Sequence, residues 1–472
     1  MKFFITTSIA YVNAPPHLGF ALESIQADVI ARYHRGIGDS VFFQTGTDEH
    51  GIKILRAAQE AEDAPQLFVD KIAERFRELK QALNLSWDVF VRTTDKERHW
   101  PQVFKIWKEL EANGDLYKKI YEGLYCVGCE SFKTKKDLVE GKCPIHKKEP
   151  EVIREENWFF RLSKYEDELK NVIESDLLGI VPEFRKNEVL SFLGEGLEDI
   201  SLSRPRKDLP WGIPVPGDDS QTMYVWADAL TNYIDYPEHW PADVHLIGKD
   251  ILRFHAVIWP AMLLAAKLPL PKRIFAHGFI TLDGHKISKS LGNTVDPFEL
   301  IKKYGADPVR YYLLREIPSG EDGDFSIAKF EERYNGDLAN GLGNFSARVL
   351  TLASKSGDIS SGIVEKDVEE KIRAAKETIH VKIEDFRLHE AIGAVWDMIS
   401  FGDKYVNKHK VWEIKNENEK RSKIFNLIVL LDNIGALLEP FLPETATKIK
   451  NSIVWDGGNM NVKKGENLFP RL

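Results

Sequence analysis

Three groups of residues in this chain could carry chemistry. The first, Ala14-Pro15-Pro16-His17-Leu18-Gly19-Phe20, lies between an apolar run and a helical pattern. A helix starting there would offer free backbone N–H groups and a partial positive charge to a phosphate. Gly19 would let a nucleotide approach the backbone, and His17 could donate to a phosphate oxygen. The second group, Asp283-Gly284-His285-Lys286-Ile287-Ser288-Lys289-Ser290, sets two lysines three apart just after a glycine. Such a loop suits closure on a triphosphate as charge builds on its oxygens. Either motif alone is compatible with a plain polar turn; the pair, on opposite sides of a split fold, points to one nucleotide site. The third group is Cys126-Val127-Gly128-Cys129 with Cys143-Pro144-Ile145-His146. Paired short spacings of this kind place four donors tetrahedrally on Zn2+. With all four positions filled by protein, the zinc would be structural, one per chain. The alternative is three free thiols and a surface histidine.

These residues need elements to hold them. Segments 2–9 and 40–45 read as buried strands, and Leu18, Leu22, Ile25 and Val29 recur between them at helical spacing. Strand, helix and strand in this order make a βαβ unit and a parallel sheet. Helical patterns follow at 65–83 and 97–112. From 113 to 218, Gly123, Gly128, Gly141 and the cysteines suggest an inserted module of small strands and turns. Strand texture returns at 222–226, 245–247 and 274–277. Beyond 330 the pattern is helical, near 331–354, 366–385, 388–407 and 419–438, as in a bundle, and 467–472 reads as a short closing strand. The fold class is thus α/β, a parallel sheet split by an insertion, then an all-α region.

Composition bounds the rest. The chain has 472 residues, 43% hydrophobic and 29% charged, with a net charge of −9. That length implies several domains, and the acidity argues against a protein that coats nucleic acid indiscriminately. The start, Lys2 to Val12, loosely imitates a signal peptide, but Thr6, Thr7 and Ser8 dilute it. No apolar run is long enough for a membrane span, which needs about 18 residues. All three cysteines sit in the insertion, so a disulfide-stapled secreted fold is not expected. A cytoplasmic location is expected.

Taken together, His17-Leu18-Gly19 and Lys286-Ile287-Ser288-Lys289-Ser290 resemble the two ATP motifs of class I aminoacyl-tRNA synthetases. In that class the amino-acid carboxylate attacks the α-phosphate of ATP, with Mg2+ beside the nucleotide. The resemblance implies that His17, Lys286 and Lys289 act in catalysis, and that His17, Gly19, Lys286, Ser288 and Lys289 bind ATP. Phe20 departs from the family, which usually has a second histidine there.

Segments Met223–Tyr233 and Gly248–His255, with Ile9-Ala10-Tyr11, are similar to the methionine-pocket segments of methionyl-tRNA synthetases. Ile9, Tyr11, Trp226, Ala229, Leu230, Tyr233, Ile251 and His255 would then surround the side chain, and Asp48 would receive the ammonium group. Aromatic rings and a thioether attract by about 0.3–1.5 kcal/mol per contact. Leu230 and Ala227 depart from residues common in the family. In the helical region Asn344 and Arg348 stand at i and i+4, and Trp412 lies in a stretch, 404–423, with seven Lys or Arg against three Glu. In the family the matching Asn, Arg and Trp read the anticodon, and Asn344, Arg348 and Trp412 inherit that role.

The resemblance implies a Rossmann-like catalytic domain in two halves, 1–112 and 221–300, split by a zinc-knuckle insertion, 113–220. A stem-contact connector, 301–330, and an all-α anticodon-binding domain, 331–472, would follow. It implies ATP-dependent conversion of L-methionine to methionyl-adenylate and transfer to tRNA(Met), initiator and elongator, releasing AMP and diphosphate. A monomer is expected, because no further tRNA-binding dimerisation module follows in this sequence. The alternatives are a class I synthetase for another apolar amino acid, and a non-catalytic RNA-binding zinc protein.

Overall fold

The computed structural model describes residues 1–129, 131–133, 137–145, 147–286, 295–356, 359–360, 362–456, 459–464 and 467–472. They form two compact units. One comprises Met1–Pro16, Asp39–Lys80 and Trp87–Ala276; the other His17–Gly38, Gln81–Ser86 and His277–Leu472.

The first unit is built on a six-stranded sheet. Its strands, in chain order, are β1 (Lys2–Tyr11), β2 (Ser40–Asp48), β3 (Val89–Arg92), β4 (Gly179–Val181), β5 (Val244–Gly248) and β6 (Arg273–His277). They lie in the spatial order β3-β2-β1-β5-β6-β4, and the pairs β2–β3, β1–β2, β1–β5 and β6–β4 are parallel. Runs such as Phe3-Phe4-Ile5 and Val244–Gly248 are buried on both faces, as a covered parallel sheet requires. The order reverses between β1 and β5. In open α/β sheets a ligand crevice forms at such a switch point, beyond the carboxyl ends of the strands. A separate antiparallel pair, Leu116–Cys126 with Glu151–Phe160, carries the cysteine segment. Segment 113–218 also holds helices at Glu166–Glu174 and Glu183–Gly194, besides the small strands expected there, and its strand β4 joins the edge of the main sheet.

Segment 222–226, expected as a strand, divides. A strand ends at Met223 and a helix, α1 (Val225–Ala229), follows, continued by a 3-10 turn Leu230–Ile234. Residues 226, 229, 230 and 233 are therefore spaced for one helical face.

The second unit is mainly helical. Its long helices are Leu18–Gly36, Lys366–Glu384, Leu388–His409 and Glu417–Leu438, close to the amphipathic stretches read from sequence. The stretch 331–354 is not one regular helix: Ile327–Arg333 and Asn344–Ser354 flank a π-helical segment, Tyr334–Gly343. Residues 467–472 make no strand; they are held singly, by buried Phe469 and by Leu472 N–H donating to Asn335 Oδ1 at 3.1 Å. Among the described residues no helix is long and apolar enough to cross a membrane.

Candidate active site

In the first unit the crevice at the switch point collects residues from four elements. The β1–β2 register shifts between Thr6 and Ile9, and pairing then resumes as Ile9↔Gly46 and Tyr11↔Asp48. The irregularity re-aims the end of β1, bringing Ile9 and Tyr11 alongside Asp48, which ends β2 and is buried. Gly46 makes this possible, because a Cβ there would meet the Val91 carbonyl of β3 at 2.3 Å. The Tyr11 hydroxyl donates to the His50 carbonyl at 3.0 Å.

The opposite wall is α1 with its 3-10 continuation, together with the segment that follows β5. Trp226 stacks on Phe254, ring centroids 3.6 Å apart and planes 11° apart. Ala229, Leu230 and Tyr233 are buried, and Ile251 is half-buried. His255 sits in a π-helical turn, Phe254–Ile258. Its Nδ1 lies 2.9 Å from the Ile251 carbonyl, which can only accept, so Nδ1 carries the proton. Nε2 then accepts from the Tyr233 hydroxyl at 2.6 Å. Burial pushes the His255 pKa down to about 4, so the ring is neutral and this arrangement is fixed. His245, on β5, is likewise held neutral by burial and its ring lies 4.1 Å from that of Tyr233. The result is a wall of aromatic and imidazole faces, polarisable and carrying no net charge. Such a wall suits an apolar, polarisable side chain, with a buried carboxylate nearby for a cation.

The sequence-expected pocket set is thus found in one unit, at one end of one sheet. Four buried residues beneath it, His50, His99, Asp228 and Asp235, were not singled out from sequence. The His50 and His99 rings both contact the Asp228 carboxylate. His50 and Asp228 fall inside segments that drew notice, but His99 and Asp235 carry no local spacing that would reveal them.

Of the first motif, Ala14–Pro16 belong to the first unit and His17–Phe20 to the second. His17 caps the helix Leu18–Gly36: its backbone is extended and its Nδ1 accepts from the Gly19 N–H at 3.0 Å. In the neutral ring the Nε2–H is then the donor. A Cβ on Gly19 would lie 2.9 Å from the His17 ring, so only glycine tolerates this fold of the ring over the helix start. Phe20 is half-buried in the first turn. In the second motif, Asp283 and Gly284 take positive φ, 49° and 76°, and join strands Ile280–Leu282 and His285–Lys286. This is the tight hairpin that an Asp-Gly pair favours. Ser288 and Lys289 lie outside the described residues, as does the Lys286 side chain.

Cys126 and Cys143 are buried and Cys129 is half-buried, and their sulfurs lie within 4.8 Å of one another. The Cys129–Cys143 separation is 3.5 Å, close to the ~3.8 Å between thiolates sharing a tetrahedral zinc with bonds of about 2.3 Å. The three thiols therefore fit a common metal; His146 lies outside the described residues.

In the helical region Arg348 donates to Asp403 Oδ1 at 3.0 Å and to Asn407 Oδ1 at 2.9 Å. A cavity of ≈ 330 Å³ is lined by Ala347, Arg348, Thr351, Leu352, Val406 and Trp412. Trp412 is 51% exposed, and Asn344 is an exposed residue at the start of the same helix as Arg348 but does not line this cavity.

A switch-point crevice of this kind belongs with nucleotide-dependent α/β enzymes. The family model described as "tRNA synthetases class I (M)" matches residues 3–151 and 133–350, which sets the chain among class I aminoacyl-tRNA synthetases. The chain belongs, more narrowly, to the methionyl-tRNA synthetase family. It is 43% identical to the methionine–tRNA ligase of Thermotoga maritima over 95% of this chain and 75% of that protein. It is 42% identical to that of Brucella suis over 95% of this chain and 91% of the other. The Mycobacterium tuberculosis methionyl-tRNA synthetase in complex with methionyl-adenylate superposes with a TM-score of 0.93, at 36% identity, over all of both chains.

Proposed function

We propose that the chain is an ATP-dependent methionine–tRNA ligase. The methionine carboxylate attacks the α-phosphate of ATP, expelling diphosphate and leaving methionyl-adenylate; a terminal tRNA hydroxyl then takes the methionyl group and releases AMP. The observation that carries this is the neutral Tyr233–His255 wall beside buried Asp48, at the switch point of a parallel sheet.

Methionine is read as bound with its ammonium group toward Asp48 and its side chain among Ile9, Tyr11, Trp226, Ala229, Leu230, Tyr233, Ile251 and His255. ATP, with Mg2+, is read as held by His17, Gly19, Lys286, Ser288 and Lys289. His17, Lys286 and Lys289 stabilise the charge that develops on the phosphoryl oxygens, an interaction made chiefly in the transition state. The metal of the cysteine cluster is read as a structural zinc, the ion that three thiolates and an imidazole suit, with His146 as fourth ligand. Asn344, Arg348 and Trp412 are read as the anticodon contacts on tRNA(Met), initiator and elongator, and the exposed Trp412 ring supports a stacking role. By this reading 1–112 and 221–300 are the catalytic halves, 113–220 the zinc-bearing insertion, 301–330 the connector and 331–472 the anticodon-binding part, in a cytoplasmic monomer.

Charging is the direct test. With ATP, Mg2+ and methionine, the protein should acylate tRNA(Met), and removal of ATP should abolish it. No acylation under these conditions, from protein that is folded and zinc-loaded, would overturn the reading.

A further inference from the structure

Behind the pocket, four buried ionisable side chains run in an unbroken line. His50 Nδ1 lies 2.7 Å from Asp228 Oδ2, His99 Nε2 lies 2.7 Å from Asp228 Oδ1, and His99 Nδ1 lies 3.0 Å from Asp235 Oδ1. All four are buried. An ionised carboxylate only accepts, so both imidazoles donate to Asp228. His99, with a carboxylate on each ring nitrogen, donates from both and is an imidazolium. Burial alone would favour its neutral form, but Asp235 and Asp228 outweigh it and hold its pKa up to about 10. Buried groups of this kind are costly unless fully paired, so the line needs an explanation beyond ordinary packing.

The elements it joins at His50 and Asp228 supply one. His50 is two residues beyond Asp48, and its carbonyl receives the Tyr11 hydroxyl. The same loop is pinned on its far side, where Arg92 donates twice to buried Glu49, at 2.6 and 2.9 Å. Asp228 lies on the short helix Val225–Ala229, between Trp226 and Ala229, with its carboxylate turned to His50 and His99. One carboxylate therefore fastens the loop that carries the ammonium acceptor to the helix that carries the side-chain wall.

We propose that Asp228 and His99 are positioning residues of the methionine subsite. Asp228 sets the spacing between Asp48 and the Trp226–Ala229–Leu230 wall, and His99 fixes the orientation of the Asp228 carboxylate against Asp235. Neither side chain is assigned a contact with methionine or ATP. The inference rests on reading this crevice as the methionine site.

The test is methionine-dependent exchange of pyrophosphate into ATP, on the full-length protein, with the wild type run alongside. Asp228→Asn keeps the shape but replaces one acceptor by a donor and removes the charge, so one imidazole must give up its proton and accept, or lose its contact. The KM for methionine should rise by about tenfold or more while the KM for ATP changes by less than about twofold. A methionine KM within about twofold of wild type, or equal rises in both KM values, would overturn the proposal. If Asp228→Asn does not fold, His99→Gln and His99→Leu decide. The Gln amide can still donate to Asp228 and should recover much of the methionine KM that the Leu variant loses; equal values for the two would overturn it. No methionine-dependent exchange by the wild type would instead sink the reading of the crevice itself.

Discussion

At the scale of single residues, the proposed pocket rests on which protons are where. His255 donates from Nδ1 to a carbonyl, so its Nε2 must accept from Tyr233, and the wall carries no charge here. This has a measurable consequence. The folded pKa of His255, about 4, lies below its ordinary value of 6.5. As pH falls the unfolded chain takes the proton first, so the contribution is fully present above about pH 6.5 and is lost as pH falls toward 4. At 1.36 kcal/mol per pH unit, stability should drop by about 2 kcal/mol between pH 6.5 and 5 from this group. His99, with its pKa raised to about 10, acts oppositely: its contribution is present below pH 6.5 and is lost as pH rises toward 10. Urea unfolding of wild type and His255→Gln at the two acidic pH values should show a shallower loss in the variant; parallel losses would show that His255 is not neutral in the folded protein. Ile251 and His255 drew notice in the sequence only through the resemblance of segment Gly248–His255. The Tyr233–His255 and His99–Asp228 contacts were not, because side chains distant in sequence meet only once the sheet order is known.

Elements were largely legible where a strong period ran long. The first strands and the helices near 366–385, 388–407 and 419–438 form close to where hydrophobic spacing put them. What escaped was set by tertiary context. Strand β4 lies in a turn-rich segment and is only three residues long, yet it closes one edge of the main sheet. The 222–226 segment has strand composition but breaks after Met223, and that break gives Trp226, Ala229, Leu230 and Tyr233 helical spacing. Within the second unit, helix Ala306–Arg315 carries Arg310, fully buried. Its guanidinium donates to the Phe441, Pro440 and Leu83 carbonyls at 2.7, 2.8 and 3.1 Å and pairs with Asp28 at 2.8 Å. Arg310→Met would strand three carbonyls and leave Asp28 to Arg32 and Ser86. Breaking a buried pair by removing one partner costs about 3–5 kcal/mol. Thermal unfolding should report a loss of that order; a change below about 1 kcal/mol, the range of an exposed pair, would mean water replaces the guanidinium.

At the scale of the whole molecule, one unit holds the residues proposed to bind the amino acid, and the other holds His17, Gly19 and an exposed groove around Trp412. If Trp412 stacks on an anticodon base, Trp412→Ala should weaken tRNA(Met) binding by about 1–3 kcal/mol, roughly fivefold to a hundredfold or more, and lower charging accordingly, while leaving methionyl-adenylate formation intact. Equal loss of both activities would sink the anticodon role. The composition, an acidic chain with a local basic stretch, hinted at a separate nucleic-acid surface; the groove shared by Arg348, Val406 and Trp412 was not legible, because two helices, Asn344–Ser354 and Leu388–His409, and the turn after the second build it.

The measurement that reaches furthest is amino-acid-dependent exchange of pyrophosphate into ATP, run with methionine, leucine, isoleucine, valine and cysteine in parallel. The neutral aromatic and imidazole wall beside Asp48 predicts exchange with methionine well above every other amino acid. Comparable or greater exchange with one of the others, or none with methionine, would contradict the central claim.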